Sequence, residues 1–175
     1  TGGTITSYQV HDTTWQVHTF TVSSESHPIT PNGNTKNERI SNHTMIASGH
    51  AQIIGPKIGS SAIAFDGTGD YLTVPDSTDW DLGTGEFTVE CWVNFHTKTN
   101  VGFVSKLNGT GGAHSWSLFW TNENLYWYGN GSGGTNLNEI NFSWSPTEGK
   151  WYHIAAVRVG NTTTLYADGT SIGSA

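Results

Sequence analysis

Residues 62–93 read AIAFDGTGDYLTVPDSTDWDLGTGEFTVECWV, and this stretch decides the fold. Two runs of alternating apolar and polar residues flank a loop dense in Asp and Gly. In the second run Phe87, Val89, Cys91, Val93 and Phe95 fall on one side of an extended chain, and Thr88, Glu90, Trp92 and Asn94 on the other. Strict period two is the pattern of a strand with one buried face. The first set is therefore assigned to a core between two sheets. Trp92 then stands on the outer face as a large exposed ring unless a loop covers it.

The same reading extends outward. Strands are expected at 42–47, 51–54, 61–66, 70–75, 86–95, 101–107, 115–121, 124–129, 137–143, 151–159 and 163–168. Asn108–Gly112, Asn130–Gly134 and Ser145–Gly149 mark turns, and Asp168-Gly169 marks a tight hairpin. No window places apolar residues at helical spacing. Many short strands with regular turns predict an all-β, antiparallel two-sheet jelly-roll sandwich. Near the start, residues 4–10 and 15–22 alternate around His11–Thr14 and predict a separate N-terminal β-hairpin unit over residues 1–24. Residues 25–38 read as a linker, and 39–175 as the sandwich.

Composition bounds the function. Of 175 residues, 34% are hydrophobic and 12% aromatic, enough for a core in which each ring buries about 150–250 Å². Only 12% are charged, and the net charge is −7 with seven basic residues that do not cluster. Nucleic-acid binding needs several cations aligned on phosphates and is disfavoured. No apolar run approaches a membrane span of about 20 residues. Cys91 is the single cysteine, so an internal disulfide framework is excluded, and its place among inward residues predicts a buried, inert thiol.

The order Phe65-Asp66-Gly67, Asp70–Pro75, Phe87–Val93, Trp151–Arg158 and Leu165–Gly169 resembles the laminin-G-like members of the concanavalin A-like lectin/glucanase superfamily. The resemblance runs from about Asn42 to Ala175. It implies a fold that usually binds and seldom catalyses. Such domains continue past the Asp-Gly hairpin with further strands. The expectation is that C-terminal strands are missing, or that residues 1–36 or a neighbouring subunit fill the edge they would occupy. Residues 4–22 resemble a short β-unit that recurs in bacteriophage tail and fibre proteins.

Three chemistries follow for testing. Glycoside hydrolases of the superfamily carry Glu-x-Asp-x-x-Glu on one strand, and retaining cleavage needs carboxyls about 5–5.5 Å apart. The nearest analogue is Glu86 and Glu90, about 13 Å apart along a strand with Thr88 between them, so no hydrolase is expected. Eight scattered His without a paired spacing predict no zinc site. Five Asp lie between residues 66 and 81, and Asp66 and Asp70 are candidate calcium ligands because hard cations take loop carboxylates. The alternative is that these Asp form turns by bonding their own backbone. For glycan recognition, the candidates are Trp92, Trp116, Trp120, Asn122, Tyr126, Trp127 and Tyr128. About half of the rings in this region are expected in the core, and the sequence does not say which. Asn-x-Ser/Thr triplets at Asn42, Asn108, Asn130, Asn141 and Asn161 are as numerous as chance allows in so Asn-rich a chain.

These readings converge on a non-catalytic recognition or adhesion module that binds glycan or protein. It is expected as a homo-oligomer or repeated subunit of a phage virion appendage or tail fibre, outside the cell or on the virion surface, with calcium as the only cofactor considered. The alternatives are a purely structural fibre subunit whose aromatics make subunit contacts, and a glycoside hydrolase-related domain.

Overall fold

The computed structural model describes residues 20–23, 45–54, 62–106, 115–130 and 136–175. Among the described residues there are thirteen strands: β1 (Phe20–Ser23), β2 (Ile46–Ser48), β3 (Gln52–Ile54), β4 (Ala62–Ala64), β5 (Tyr71–Thr73), β6 (Phe87–Asn94), β7 (Val101–Lys106), β8 (Trp116–Thr121), β9 (Asn124–Asn130), β10 (Asn136–Ser143), β11 (Trp151–Val159), β12 (Thr162–Ala167) and β13 (Thr170–Ser174). A single 3-10 turn at Thr78–Trp80 is the only helical element among the described residues. A five-stranded sheet runs β1-β6-β11-β12-β13 and a four-stranded sheet runs β10-β9-β8-β7. Two ribbons, β2-β5 and β3-β4, complete the strand pairs, and every pairing is antiparallel.

The predicted faces hold. β6 buries Phe87, Val89, Cys91 and Val93, followed by Phe95, while Thr88, Glu90, Trp92 and Asn94 are half-buried on the other side. β11 pairs with β6 so that Tyr152 lies beside Val93, Ile154 beside Cys91 and Ala156 beside Val89, and all of these enter the core. The four-stranded sheet answers with Trp116, Leu118 and Trp120 of β8, Leu125 and Trp127 of β9, and Ile140 of β10. Removal of these rings and branched chains from water is the main force joining the layers, at about 25 cal/mol per Å² of apolar surface.

Turns fix the register. The β12–β13 hairpin turns on Asp168 and Gly169 with φ of 48° and 74°, the left-handed pair that a two-residue hairpin requires. Between β8 and β9, Asn122 and Glu123 take φ of 49° and 58° and do the same, although no glycine announces that turn in the sequence.

At the N-terminal end, Phe20–Ser23 overlaps the expected second hairpin strand, residues 15–22. It pairs with β6, setting Phe20 opposite Cys91 and Val22 opposite Val89, and it occupies the edge of the five-stranded sheet. The expected first hairpin strand, residues 4–10, and the linker 25–38 lie outside the described residues.

Candidate binding faces

A sandwich of this kind offers two outer faces, and the residue period of two decides what each carries. On β8 the inward set is Trp116, Leu118 and Trp120, which leaves Ser117, Phe119 and Thr121 outward. On β9 Leu125 and Trp127 are buried, so Asn124, Tyr126 and Tyr128 face out. Register then places Phe119 opposite Tyr126 and Ser117 opposite Tyr128. The Phe119 and Tyr126 rings stack with centroids 4.8 Å apart and 13° between planes. On the next strand Tyr126 meets Asn141, Tyr128 meets Glu139 and Asn124 meets Ser143. The result is a row of three half-buried rings bordered by exposed amide, hydroxyl and carboxylate groups.

Three of the candidate rings lie in the core instead. Trp116, Trp120 and Trp127 are 2–3% exposed and belong to the core. Two of their indole N–H groups are bonded within the fold. Trp116 Nε1 donates to the Trp80 carbonyl at 2.8 Å, and Trp120 Nε1 donates to the Trp144 carbonyl at 2.9 Å. Trp127 stacks on Trp116 at 5.8 Å and tilts onto Phe87 at 4.8 Å. The expectation that these rings line a groove is corrected: even-numbered positions of β8 and odd-numbered positions of β9 point inward, and the hairpin at Asn122–Glu123 locks that phase. Asn122 itself forms the turn, and its carbonyl accepts a 2.7 Å bond from the Asn124 side chain. Phe119 was not among the candidates, yet its phase opposite to Trp116 and Trp120 was readable from alternation alone.

Trp92 is separated from Tyr126 and Tyr128 by the thickness of the molecule. It lies on the outer face of the five-stranded sheet, where β6 and β11 set it opposite His153. The two rings are 5.3 Å apart and tilted by 46°. His153 Nε2 is 3.3 Å from Glu90 Oε2. Glu90 lies opposite Ala155, and Ala155 opposite Tyr166, so Glu90, Trp92, His153 and Tyr166 share one face.

Asp66 and Asp70 meet at a third place. Together with His50 they bring one ligand atom each within 4.8 Å of one another. The carboxylates are already committed to the main chain. Asp70 Oδ1 accepts from the His50 N–H, Asp70 Oδ2 from the Asp66 N–H at 2.7 Å, and Asp66 Oδ1 from the Thr68 N–H at 2.7 Å. His50 Nδ1 faces Asp66 Oδ2 at 3.4 Å. Calcium takes six to eight oxygens. Asp66 and Asp70 offer two carboxylates, and His50 an imidazole, toward such a set. The arrangement ties the β2–β3 turn to the β4–β5 loop, and Gly49 (φ 72°) is needed there because a side chain would strike Asp70 and the Gly69 carbonyl.

Two internal cation anchors frame the sandwich. Lys106 Nζ, 12% exposed, bonds Asp81 and lies 3.3 Å from Asp76 Oδ1 and from the Ser77 carbonyl. Arg158 donates to the Gly83 and Gly85 carbonyls and covers the Phe87 ring at 4.7 Å.

A laminin-G family model, described as concanavalin A-like lectin/glucanases superfamily, matches residues 66–175. The chain belongs to this superfamily. The match opens at Asp66, in the β4–β5 loop, and takes in β5 to β13, hence the whole four-stranded sheet and all of the five-stranded one except β1. Concanavalin A-like folding thus accounts for the layers, and the residues on the two outer faces are what this member of the superfamily places on that frame. No relative among curated proteins matches the chain. No helix of the described residues is long and apolar enough to cross a membrane.

Proposed function

We propose that the chain is a recognition module that binds a glycan without cleaving it, through the outer face of the four-stranded sheet. The observation that carries this reading is the Phe119–Tyr126 stack with Tyr128 beside it, an aromatic row edged by Asn141, Glu139, Ser117 and Thr121. Pyranose rings present C–H groups on one side and hydroxyls around the rim. Aromatic rings take the first, and amides, hydroxyls and carboxylates take the second. The rings rest on rigid strands rather than on loops, so little ordering is needed on binding.

The absence of cleavage is part of the proposal. Glu86 precedes β6 and Glu90 pairs with His153, so the two do not face one another as an acid and a nucleophile. Asp66 and Asp70 are close, but their oxygens accept main-chain N–H groups in a turn. We further propose that recognition requires no calcium, because the Asp66–Asp70 corner is filled by amide donors.

Wider context belongs to the same proposal. A single strip of three rings gives weak affinity, and repetition of the module in an oligomeric virion appendage or tail fibre, outside the cell, raises it through effective concentration. The resemblance of residues 4–22 to phage fibre units supports that setting. The structural-subunit reading draws on a different observation: Met45, Ile46 and Tyr71, on or beside the β2-β5 ribbon, are 41–54% exposed.

The test is a glycan array on the chain, with and without chelator, repeated for Phe119→Ala and Tyr126→Ala. Binding is expected to vanish in both variants and to ignore the chelator. Undiminished binding by both variants removes the strip from consideration.

A further inference from the structure

A glycine inside a strand weakens the sheet, and it marks a bulge or a place where something approaches the backbone closely. Two of the strand glycines are explained by the fold. A β-carbon at Gly129 of β9 would stand 3.3 Å from Trp127 Nε1, and one at Gly173 of β13 would overlap the Phe142 ring. Gly102 of β7 has neither reason. It is exposed, and no atom of the described residues lies within 4 Å of where its β-carbon would stand. Its φ is not among the left-handed ones, so the bulge that follows it on β7 does not demand glycine either.

What the position does have is a neighbour. Register sets Gly102 opposite Phe119, and Phe119 opposite Tyr126. Opposite residues of an antiparallel pair share a face, so Gly102 carries the outward row of the sheet onto its end strand. The Phe119 and Tyr126 rings are 13° from parallel with centroids 4.8 Å apart, which matches the spacing of adjacent strands, about 4.7–4.9 Å. Two rings lying flat side by side do not come so close. These rings therefore stand up from the sheet with their faces turned across the strands. Tyr126 takes one face of Phe119. The other face is turned toward β7, above Gly102. The bulge between Gly102 and Val104 lengthens the opening, because Phe103 and Val104 both pack toward the core and the next outward residue of β7 is Ser105, opposite Ser117.

We propose that Gly102 determines sugar specificity by leaving the second face of Phe119 open to a pyranose, which extends the Tyr126–Phe119 stack by one strand. This rests on the glycan reading above and names the sugars it admits. A pyranose in that place meets a single aromatic wall. Ser117 and Thr121, two residues to either side of Phe119 on β8, offer hydroxyls to its rim. One clean C–H face is then sufficient. β-Glucopyranosides and β-galactopyranosides each have one, since the axial oxygen of the galactoside lies on its other face. An α-mannopyranoside carries an axial oxygen on each face and stacks poorly by either.

The probes are methyl β-D-glucopyranoside, methyl β-D-galactopyranoside and methyl α-D-mannopyranoside, titrated into the isotopically labelled chain and followed by NMR. Saturable shifts of the Phe119 ring and Gly102 amide signals are expected with the glucoside and the galactoside, and affinity about tenfold weaker with the mannoside. Gly102→Val is expected to weaken the glucoside and galactoside by about tenfold, and Gly102→Ala by less. The melting temperature of both variants should stay level or rise, since a strand accepts either residue better than glycine. Wild-type affinity in Gly102→Val together with loss of binding in Phe119→Ala would overturn the proposal and leave the glycan reading standing. Wild-type affinity in Phe119→Ala would remove both. Absence of saturable shifts at Phe119 with all of these sugars, equal affinity for the mannoside, or a fall in melting temperature that accompanies the loss of binding in both Gly102 variants would also overturn the proposal.

Discussion

Gly173 of β13 lies against the ring of Phe142 on β10, so close that a β-carbon at residue 173 would overlap the ring. β13 and β10 are the edge strands of the two sheets, and this contact is where the layers meet along one side. Gly173 is there for space and not for an unusual backbone angle, since it is absent from the left-handed residues. Gly173→Ala is therefore expected to cost about 1–3 kcal/mol by overpacking, read from urea unfolding. The same change made in a Phe142→Ala background should cost less than half as much. Equal costs in the two backgrounds would show that the ring is not what excludes the methyl group.

Trp120 and Tyr126 are neighbours across the β8–β9 hairpin and have opposite duties. Trp120→Ala empties a buried site and is expected to lose about 3–5 kcal/mol of stability. Tyr126→Ala removes a half-buried ring stacked on Phe119 and should cost about 1 kcal/mol or less, while abolishing glycan binding. Thermal unfolding beside a binding assay separates the two. A Trp120 variant that stays folded but no longer binds would reverse the assignment of faces.

The corner built by Asp70 is predicted to be a brace. Asp70→Ala removes acceptors from the His50 and Asp66 amides and should lower stability by about 1–3 kcal/mol. Addition of calcium or of chelator should leave the wild-type melting temperature where it is. A rise with calcium that disappears in Asp70→Ala would restore the metal site.

Alkaline stability should carry the mark of Lys106. Burial works to lower its pKa, but the bonds to Asp81 and Asp76 prevail and hold the ammonium above the ordinary lysine value. The folded chain binds this proton more tightly than the unfolded one. The contribution is thus whole below the unfolded pKa of about 10.4, and it is lost as pH rises through the higher folded value. The stability difference between wild type and Lys106→Met should be level from neutral pH to about 10 and shrink above it. Comparison of the two chains cancels tyrosine and Cys91 ionisation, which both share.

Cys91 offers a reporter of unfolding. Burial, and after it the nearby Glu90 charge, push its thiol far up. Reaction with a thiol reagent at pH 8 should follow global opening only, and its rate should rise with denaturant in step with the loss of structure.

Much of this was legible before any coordinates. Phe87, Val89, Cys91, Val93 and Phe95 declared one face of β6, because period two and burial admit no other phase for so apolar a set. Asp168-Gly169 declared a hairpin. What alternation left open was the phase of β8 and β9, where Trp116, Phe119, Trp120, Tyr126, Trp127 and Tyr128 put rings on both sides. Hydrophobicity does not distinguish an inward Trp120 from an outward Tyr126. The choice falls to the Asn122–Glu123 turn, whose left-handed pair carries no glycine to mark it. The partnership of Glu90 with His153 was equally hidden, since the two are brought together only by the register of β6 on β11.

Alternation along the four-stranded sheet has one more effect. Because the residues that hold the layers together and the residues that meet the outside alternate along the same strands, each outward position of β8, β9 and β10 is open to exchange while its buried neighbours stay fixed. The four-stranded sheet is a tablet whose reverse side bears the weight, and its outward surface is rewritable, one alternate residue at a time, on an unchanged frame.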